Sequence, residues 1–476
     1  MKTTKLYQIL SQFQVYELNR LSKFIHSPYF NPSERLCTFY DEIHTDLKSN
    51  ETDPSALKKE RLWSLLVPNE PYNDRRFRKY TSDLLSLIED FLALEEYKSN
   101  PIHQADFLLQ AIQQKKIDVL YSKSIKSARR LTKRQPDRSS NYYFYKYQIE
   151  KRFYEISQAD IRRTERSNID ALIQNLDYFY LAEKLRYYCT LLSRRKIQKH
   201  EYNILFIQEI LEHIEKEDYS DRPQIIAYFH VFKLYESTDN TENYYALKKI
   251  IKRHEYIFNP DDLRDIYLLA INFCIAKINK GDKLFLVEAF RTYQQALYAE
   301  VLYTDGELSP WSFKNIVITG LRAGEDQWVE DFIRNYSNKL NPDFRENAVK
   351  FNMARLHHYR KEYEQVIPLL NEVEFTDFSY SLGAKALLLA TYYELGELDA
   401  LHSFLDSFQV YLNRHKKSLP ENRRQNYLNL VKYVRRISNI MSGDLESIEK
   451  VETEINKQGK IADRNWLIEK IGELKK

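Results

Sequence analysis

Residues 354–373, ARLHHYRKEYEQVIPLLNEV, set His357 and His358 beside Tyr359, Glu362 and Glu364. Imidazoles next to carboxylates are the raw material of a metal or acid–base site. The spacing argues against one. Neighbouring residues of a helix point about 100° apart, so the two histidines cannot share the i, i+4 face of a two-histidine metal site. His358 and Glu362 do stand at i, i+4, but such pairs are common surface contacts. Asp261 and Asp262 follow Pro260, where the positive end of a helix dipole accounts for both carboxylates. HExxH, GxxxxGK[ST], GxGxxG, GxSxG and a DxDxDG calcium loop are all absent. The sequence therefore predicts no catalytic residue, no cofactor and no metal, and the histidines read as the corner between two helices.

Composition says what such a corner belongs to. A chain of 476 residues is too long for one compact core. Its 43% hydrophobic and 29% charged residues fit a folded protein. Only 9 glycines occur and none precedes Gly281, which excludes glycine-built hairpins, nucleotide loops and nucleophile elbows from that stretch. The 37 tyrosines suit amphipathic helices with wet edges. MKTTKLYQILSQFQ lacks the apolar run and cleavage site of a signal peptide, and no stretch approaches the roughly 18 apolar residues of a membrane span. Cys37, Cys189 and Cys274 form no CxxC pair. A cytoplasmic protein without membrane association is expected.

Helical periodicity runs through nearly every segment. Residues 1–100 are expected to form a small N-terminal helical domain. A helix over 14–26 stops at Pro28 and Pro32, and a second over 33–48 takes Ser33 as its cap. Asn73 or Asp74 caps RRFRKYTSDLLSLIEDFLALEEY. There Leu84, Leu85, Leu87, Ile88, Phe91, Leu92 and Leu94 cover over half the circumference, placing the helix in a core. Self-association would be sought on the same helix. Residues 101–170 are expected to be a basic helical connecting region, and residues 171–476 helical repeats with a C-terminal capping helix.

Charge is unevenly spread. Residues 101–200 hold 21 Lys and Arg against 10 Asp and Glu, while 201–300 hold 12 against 17 and 301–400 hold 10 against 16. Basic helices that pair with acidic ones or stand in solvent explain most such patterns. A nucleic-acid-associated regulator using the basic helices of 115–200 is the alternative. Its phosphate contacts would be Lys126, Arg129, Arg130, Lys133, Arg134, Arg162, Arg163, Arg194 and Arg195.

A repeat emerges in the second half. Leu398, Leu401, Leu405 and Phe408 form an apolar stripe. Tyr363, Val366, Leu370 and Val373 form the same stripe earlier, as do Val329, Phe332 and Tyr336 with Trp328 adjacent. Leu286, Ala289, Tyr293 and Ala296, then Tyr244, Leu247 and Ile251, then Tyr202 and Leu205 continue it toward the N-terminus. Polar turns at 279–283, 322–326, 359–362 and 394–398 precede four of these helices, and Asn259-Pro260 and Asn341-Pro342 close two of them. Pro368 is expected to kink its helix. As a stacking residue, Trp328 is expected to cost about 3–5 kcal/mol when replaced by Ala.

These units resemble tetratricopeptide-like repeats, TYYELGELDALHSFLDSF at 391–408 most of all, with Tyr392, Gly396 and Leu398 in family positions. The resemblance covers about residues 170–460. It implies a right-handed α-solenoid of antiparallel helix pairs; with the small N-terminal helical domain before it, which the resemblance does not reach, the chain is expected to be all-α. It also implies a non-enzymatic scaffold or adaptor that binds a protein or peptide on its concave face. Tyr228, Phe232, Tyr235, Tyr267, Asn272, Arg355 and Tyr392 are the residues expected to face that partner.

Overall fold

The structure is a computed structural model that describes residues 1–49, 57–158, 168–195, 204–237, 241–371, 378–458 and 460–475. Among the described residues it holds 23 α-helices and one two-stranded hairpin, so the chain is all-α. Two compact units divide it: residues 1–136 with 140–180, and residues 137–139 with 181–476.

The first unit contains α1 (Lys5–Leu10), α2 (Val15–Ile25), α3 (Glu34–Lys48), α4 (Lys59–Leu66), α5 (Asp74–Ser99), α6 (Pro101–Lys115), α7 (Asp118–Lys133), α8 (Ser140–Gln158) and the start of α9 (Ile169–Arg195). Asn73 caps α5 by accepting from the Arg76 N–H, whereas Ser33 makes no side-chain bond at the start of α3. Leu84, Ile88 and Phe91 of α5 enter a core with Phe39, Tyr40 and Trp63, while Leu92 stays 46% exposed.

The second unit continues with α10 (Ile207–Lys216), α11 (Pro223–Glu236), α12 (Glu242–His254), α13 (Pro260–Asn279) and α14 (Leu284–Tyr298). Strands β1 (Tyr303–Thr304) and β2 (Glu307–Leu308) follow, then α15 (Pro310–Arg322), α16 (Asp326–Tyr336), α17 (Pro342–Tyr359) and α18 (Val366–Asn371). The chain ends with α19 (Phe378–Glu394), α20 (Leu398–Arg414), α21 (Glu421–Ile437), α22 (Leu445–Lys457) and α23 (Arg464–Leu474). From α11 onward each odd-numbered helix packs on the helix after it, and α11/α13, α15/α17, α17/α19 and α21/α23 also pack on one another. No helix of the described residues is long and apolar enough to cross a membrane.

One corner geometry recurs. A residue in the left-handed region ends α13, α15, α17 and α19: Gly281, Gly324, Lys361 and Gly396. At each corner its N–H bonds the carbonyl three residues back, and the next N–H bonds the carbonyl five back. At Gly324 these are Leu321 (3.0 Å) and Gly320 (3.0 Å). This is the Schellman arrangement, which satisfies the orphan carbonyls of a helix end. Helix starts recur too. Asn259 and Asn341 do not close the preceding helices. They cap α13 and α17 through their side chains, with Pro260 and Pro342 at the first helical position. Pro368 does not kink a helix either. α18 begins at Val366, so Pro368 lies in a first turn, where no N–H has an intrahelical acceptor.

The apolar stripes are partly as expected. Leu401, Leu405 and Phe408 are fully buried, but Leu398 is 48% exposed. Tyr202 and Val373 lie outside the described residues. Trp328 stacks on Phe332 (5.3 Å) and meets the edge of Phe290 (4.9 Å), yet it is only half-buried. Trp328→Ala should therefore cost about 2–3 kcal/mol in chemical denaturation, below the range for a fully buried tryptophan. Close packing is stricter at Gly320 of α15. A Cβ there would stand 2.5 Å from Val329 Cγ2 and 3.1 Å from Phe290 Cε2. Gly320→Ala is expected to lower stability by about 1–2 kcal/mol despite its better helix propensity; a urea titration reads the sign.

Candidate functional site

The two histidines sit where the sequence puts them, at the end of α17, and they diverge. The Lys361 N–H bonds the His358 carbonyl (3.0 Å) and the Glu362 N–H bonds the His357 carbonyl (2.9 Å). His357 Nδ1 turns back to Glu362 Oε2 at 2.5 Å. His358 points the other way, edge-on to Tyr363 (5.2 Å), and its buried Nε2 has no partner among the described residues. Burial pushes the His358 imidazole below its ordinary pKa, against the pull of Glu394 and Asp463. It is therefore a neutral ring at neutral pH. Among the described residues no group of three His, Cys, Asp or Glu could hold a metal.

His358 opens onto a cavity of about 780 Å³ in the second unit. Its lining comes from the end of α13 (Asn279), α15 (Ile318, Leu321, Arg322), α17 (Arg355, His358, Tyr359), α19 (Gly383, Ala386, Leu387, Ala390), α21 (Arg423, Asn426, Tyr427) and the start of α23. Arg355 and His358 lie one turn apart on α17, and so share a face. The Arg355 guanidinium lies over the Phe351 ring at 4.9 Å, and its Nε is buried without a partner. Burial works against the charged guanidinium, with Asp463 and Tyr427 acting the other way. Small residues make this approach possible. A Cβ on Gly383 would stand 3.2 Å from Phe351 Cζ and 3.6 Å from Arg355 Nη2.

The end wall is held by a buried ion pair. The Lys470 ammonium of α23 donates to Glu394 Oε2 of α19 (2.9 Å) and to Glu473 (2.8 Å). Trp466 Nε1 donates to Glu394 Oε1 at 2.8 Å, with the Trp466 ring edge-on to Tyr393. Burial opposes the Lys470 charge, but the bonds from Glu394 and Glu473 hold its proton well above the usual range. Asp463, in the left-handed region, and Arg464, which donates to Asn456 (2.7 Å), stand at the start of α23 and face the cavity.

Of the residues expected to face a partner, Arg355 alone lines this cavity. Tyr228 and Phe232 are buried in the core; Tyr228 donates to Asp262 Oδ1 (3.3 Å) and Phe232 stacks on Tyr188 (5.7 Å). Tyr235 is half-buried and donates to the Leu269 carbonyl (3.3 Å), and Asn272 is exposed beside it. Tyr267 is buried along a second cavity, of about 720 Å³, between α12, α13 and α14. Tyr392 packs against Phe404 (5.7 Å) between two core clusters.

The expected phosphate contacts divide. Arg129 lies over Phe153 (4.2 Å) and grips Glu150 through two bonds (2.8 and 2.6 Å), so its charge is already engaged. Lys126, Arg130, Lys133 and Arg134 are exposed on or just beyond α7, and Arg194 is exposed near the end of α9. Arg162 and Arg163 lie outside the described residues, as does the side chain of Arg195.

Asp262 corrects another expectation. The start of α13 accounts for exposed Asp261, but Asp262 is fully buried. Its carboxylate accepts from Gln224 (2.7 Å), Asn259 (2.9 Å) and Tyr228 and pairs with Arg186 at 3.3 Å. Burial pushes this carboxyl up to about 6, and the Arg186 charge draws it back. The Arg186 guanidinium is disfavoured by burial but held firmly charged by Asp262 and Asp265. Asp262 is sealed inside the unit, while Arg186 and Asp265 keep part of their side chains in water.

Sequence reasoning missed the arginines of α21 and α23 and the small-residue floor. The one signal for the floor was SLGAKALLLA, with Gly383, Ala386 and Ala390 spaced on one helical face. Compared with protein-family models, curated proteins and solved structures, the chain matches none.

Proposed function

We propose that this chain is a non-enzymatic protein–protein interaction scaffold. In this reading residues 171–476 form a right-handed, tetratricopeptide-like α-solenoid of antiparallel helix pairs, and the cavity across α15, α17, α19, α21 and α23 receives a protein or peptide. The observation that carries it is the recurring unit: four corners of one geometry join successive helices, and the first helices of neighbouring units line one trough. Stacked units of this kind bury a continuous core while leaving one helix layer open to a partner. The scaffold is assigned to the cytoplasm, where three unpaired thiols persist.

Affinity capture with the full chain from its native host, followed by mass spectrometry, tests the reading. A stoichiometric protein partner is the expected result, and nucleic acid recovered without any protein would overturn it. The second reading, a nucleic-acid-associated regulator, draws on the exposed stripe Lys123, Lys126, Arg130 and Lys133 along α7. Filter binding decides that one: retention must fall steeply with salt, and no retention of RNA or DNA at low salt removes it.

A further inference from the structure

We propose that the cavity floored by Gly383, Ala386 and Ala390 docks an acidic segment of a partner protein, with an aspartate or glutamate side chain meeting the Arg355 guanidinium. The inference rests on the scaffold reading and names the chemistry of its partner. Four observations carry it.

Arg355 is a half-buried cation whose Nε has no hydrogen-bond partner among the described residues, and Asp463 across the cavity offsets only part of the cost of its burial. A cation partly withdrawn from water weakens the free fold, and a bound carboxylate reduces that penalty. Stacking on Phe351 fixes the plane of the guanidinium. A fixed plane preorganises its donors for the paired oxygens of a carboxylate.

Charge around the cavity agrees. Arg322, Arg355, Arg423 and Arg464 face it against Asp463 and Glu469. This local excess of positive charge favours an anion.

The floor suits a polypeptide. Phe351 and Arg355 pack over Gly383, and beyond them Ala386 and Ala390 offer nothing larger than a methyl group along one face of α19, so a main chain can approach there. His358 Nε2, neutral and unpartnered, supplies a polar contact for such a chain. Leu321 and Leu387 supply apolar surface beside it. The lining spans six helices, so the trough can accept a segment passing through. The acid is therefore assigned to a side chain within the segment.

The test selects random peptides displayed on phage against the immobilised full chain, in parallel with Arg355→Gln and Arg423→Gln. Selected peptides are expected to share an Asp or Glu at one fixed position. A synthetic copy should bind Arg355→Gln at least about tenfold more weakly, with an equal loss when its acid becomes the amide. Arg423 is exposed, so Arg423→Gln folds normally and weakens binding several-fold at low salt. Arg355→Gln should keep or raise the melting temperature, which separates lost binding from unfolding. The proposal fails if no peptide is enriched, if enriched peptides lack a fixed acid, or if Arg355→Gln binds them like the parent. Displacement of the peptide by inorganic phosphate but not by glutarate would assign the cavity to a phosphoryl group and overturn the carboxylate. Capture of the same host partner by the parent and by Arg355→Gln would sink this site and leave the scaffold reading standing. Failure of capture and selection together would sink both.

Discussion

Arg186→Met is expected to destabilise the second unit by about 3–5 kcal/mol near pH 8 and by much less near pH 5. The substitution leaves the buried Asp262 carboxylate with neutral partners only: Gln224, Asn259 and Tyr228. Removing one partner of a buried pair costs more than the pair contributes, because the remaining charge stays out of water. Asp262 already sits at about 6, above an exposed aspartate, because of its burial. Without Arg186 it rises further. The folded chain then holds a proton that the unfolded chain has lost, so stability falls as pH rises from the unfolded value through the folded one. Acidification returns the proton and most of the stability. Comparing urea titrations of variant and parent at the two pH values cancels the other titrating groups. A deficit that does not change with pH would mean that Asp262 is not the charge Arg186 neutralises. Asp262→Asn on the Arg186→Met background should recover much of the loss near pH 8.

The elements of this fold were legible where the signal is local. Glycine and polar turns at 279–283, 322–326 and 394–398 mark corners because only a left-handed residue closes them, and Asn-Pro pairs mark helix starts because both residues suit that position. Lys361 makes the same corner without glycine, and so does Lys116 between α6 and α7. Asp305-Gly306 is an equally local signal, for a two-residue hairpin. The cavity was not legible. Its lining is drawn from six helices, and nothing in the periodicity says which tyrosines turn inward. Tyr228 and Tyr267 look like interface residues by type, yet both are core, because a buried phenol whose hydroxyl finds a partner packs like any aromatic. Of the residues expected to face a partner, Arg355 lines the cavity across α15, α17, α19, α21 and α23. The helix-dipole account of Asp262 falls short because Arg186 is remote in sequence, and no helix-start rule reveals it.

The end wall of the cavity depends on one such remote pair, which makes Glu394→Ala the other large effect. A loss of about 3 kcal/mol is expected. The Lys470 ammonium is 6% exposed and Glu394 12%, whereas Glu473 is more than half exposed and compensates only in part. Losing Glu394 also strips the Trp466 N–H of its acceptor, and an unsatisfied buried donor adds its own cost. The helix that loosens is α23, whose first residues carry Asp463 and Arg464 into the cavity. Limited proteolysis should then release the C-terminal helix first, before the helices around α13 become accessible. Pairing Glu394→Leu with Lys470→Met should restore most of the stability, since apolar groups of similar volume can replace a buried ion pair at little cost. Equal losses in the single and double variants would show that packing, not charge compensation, holds α23 in place.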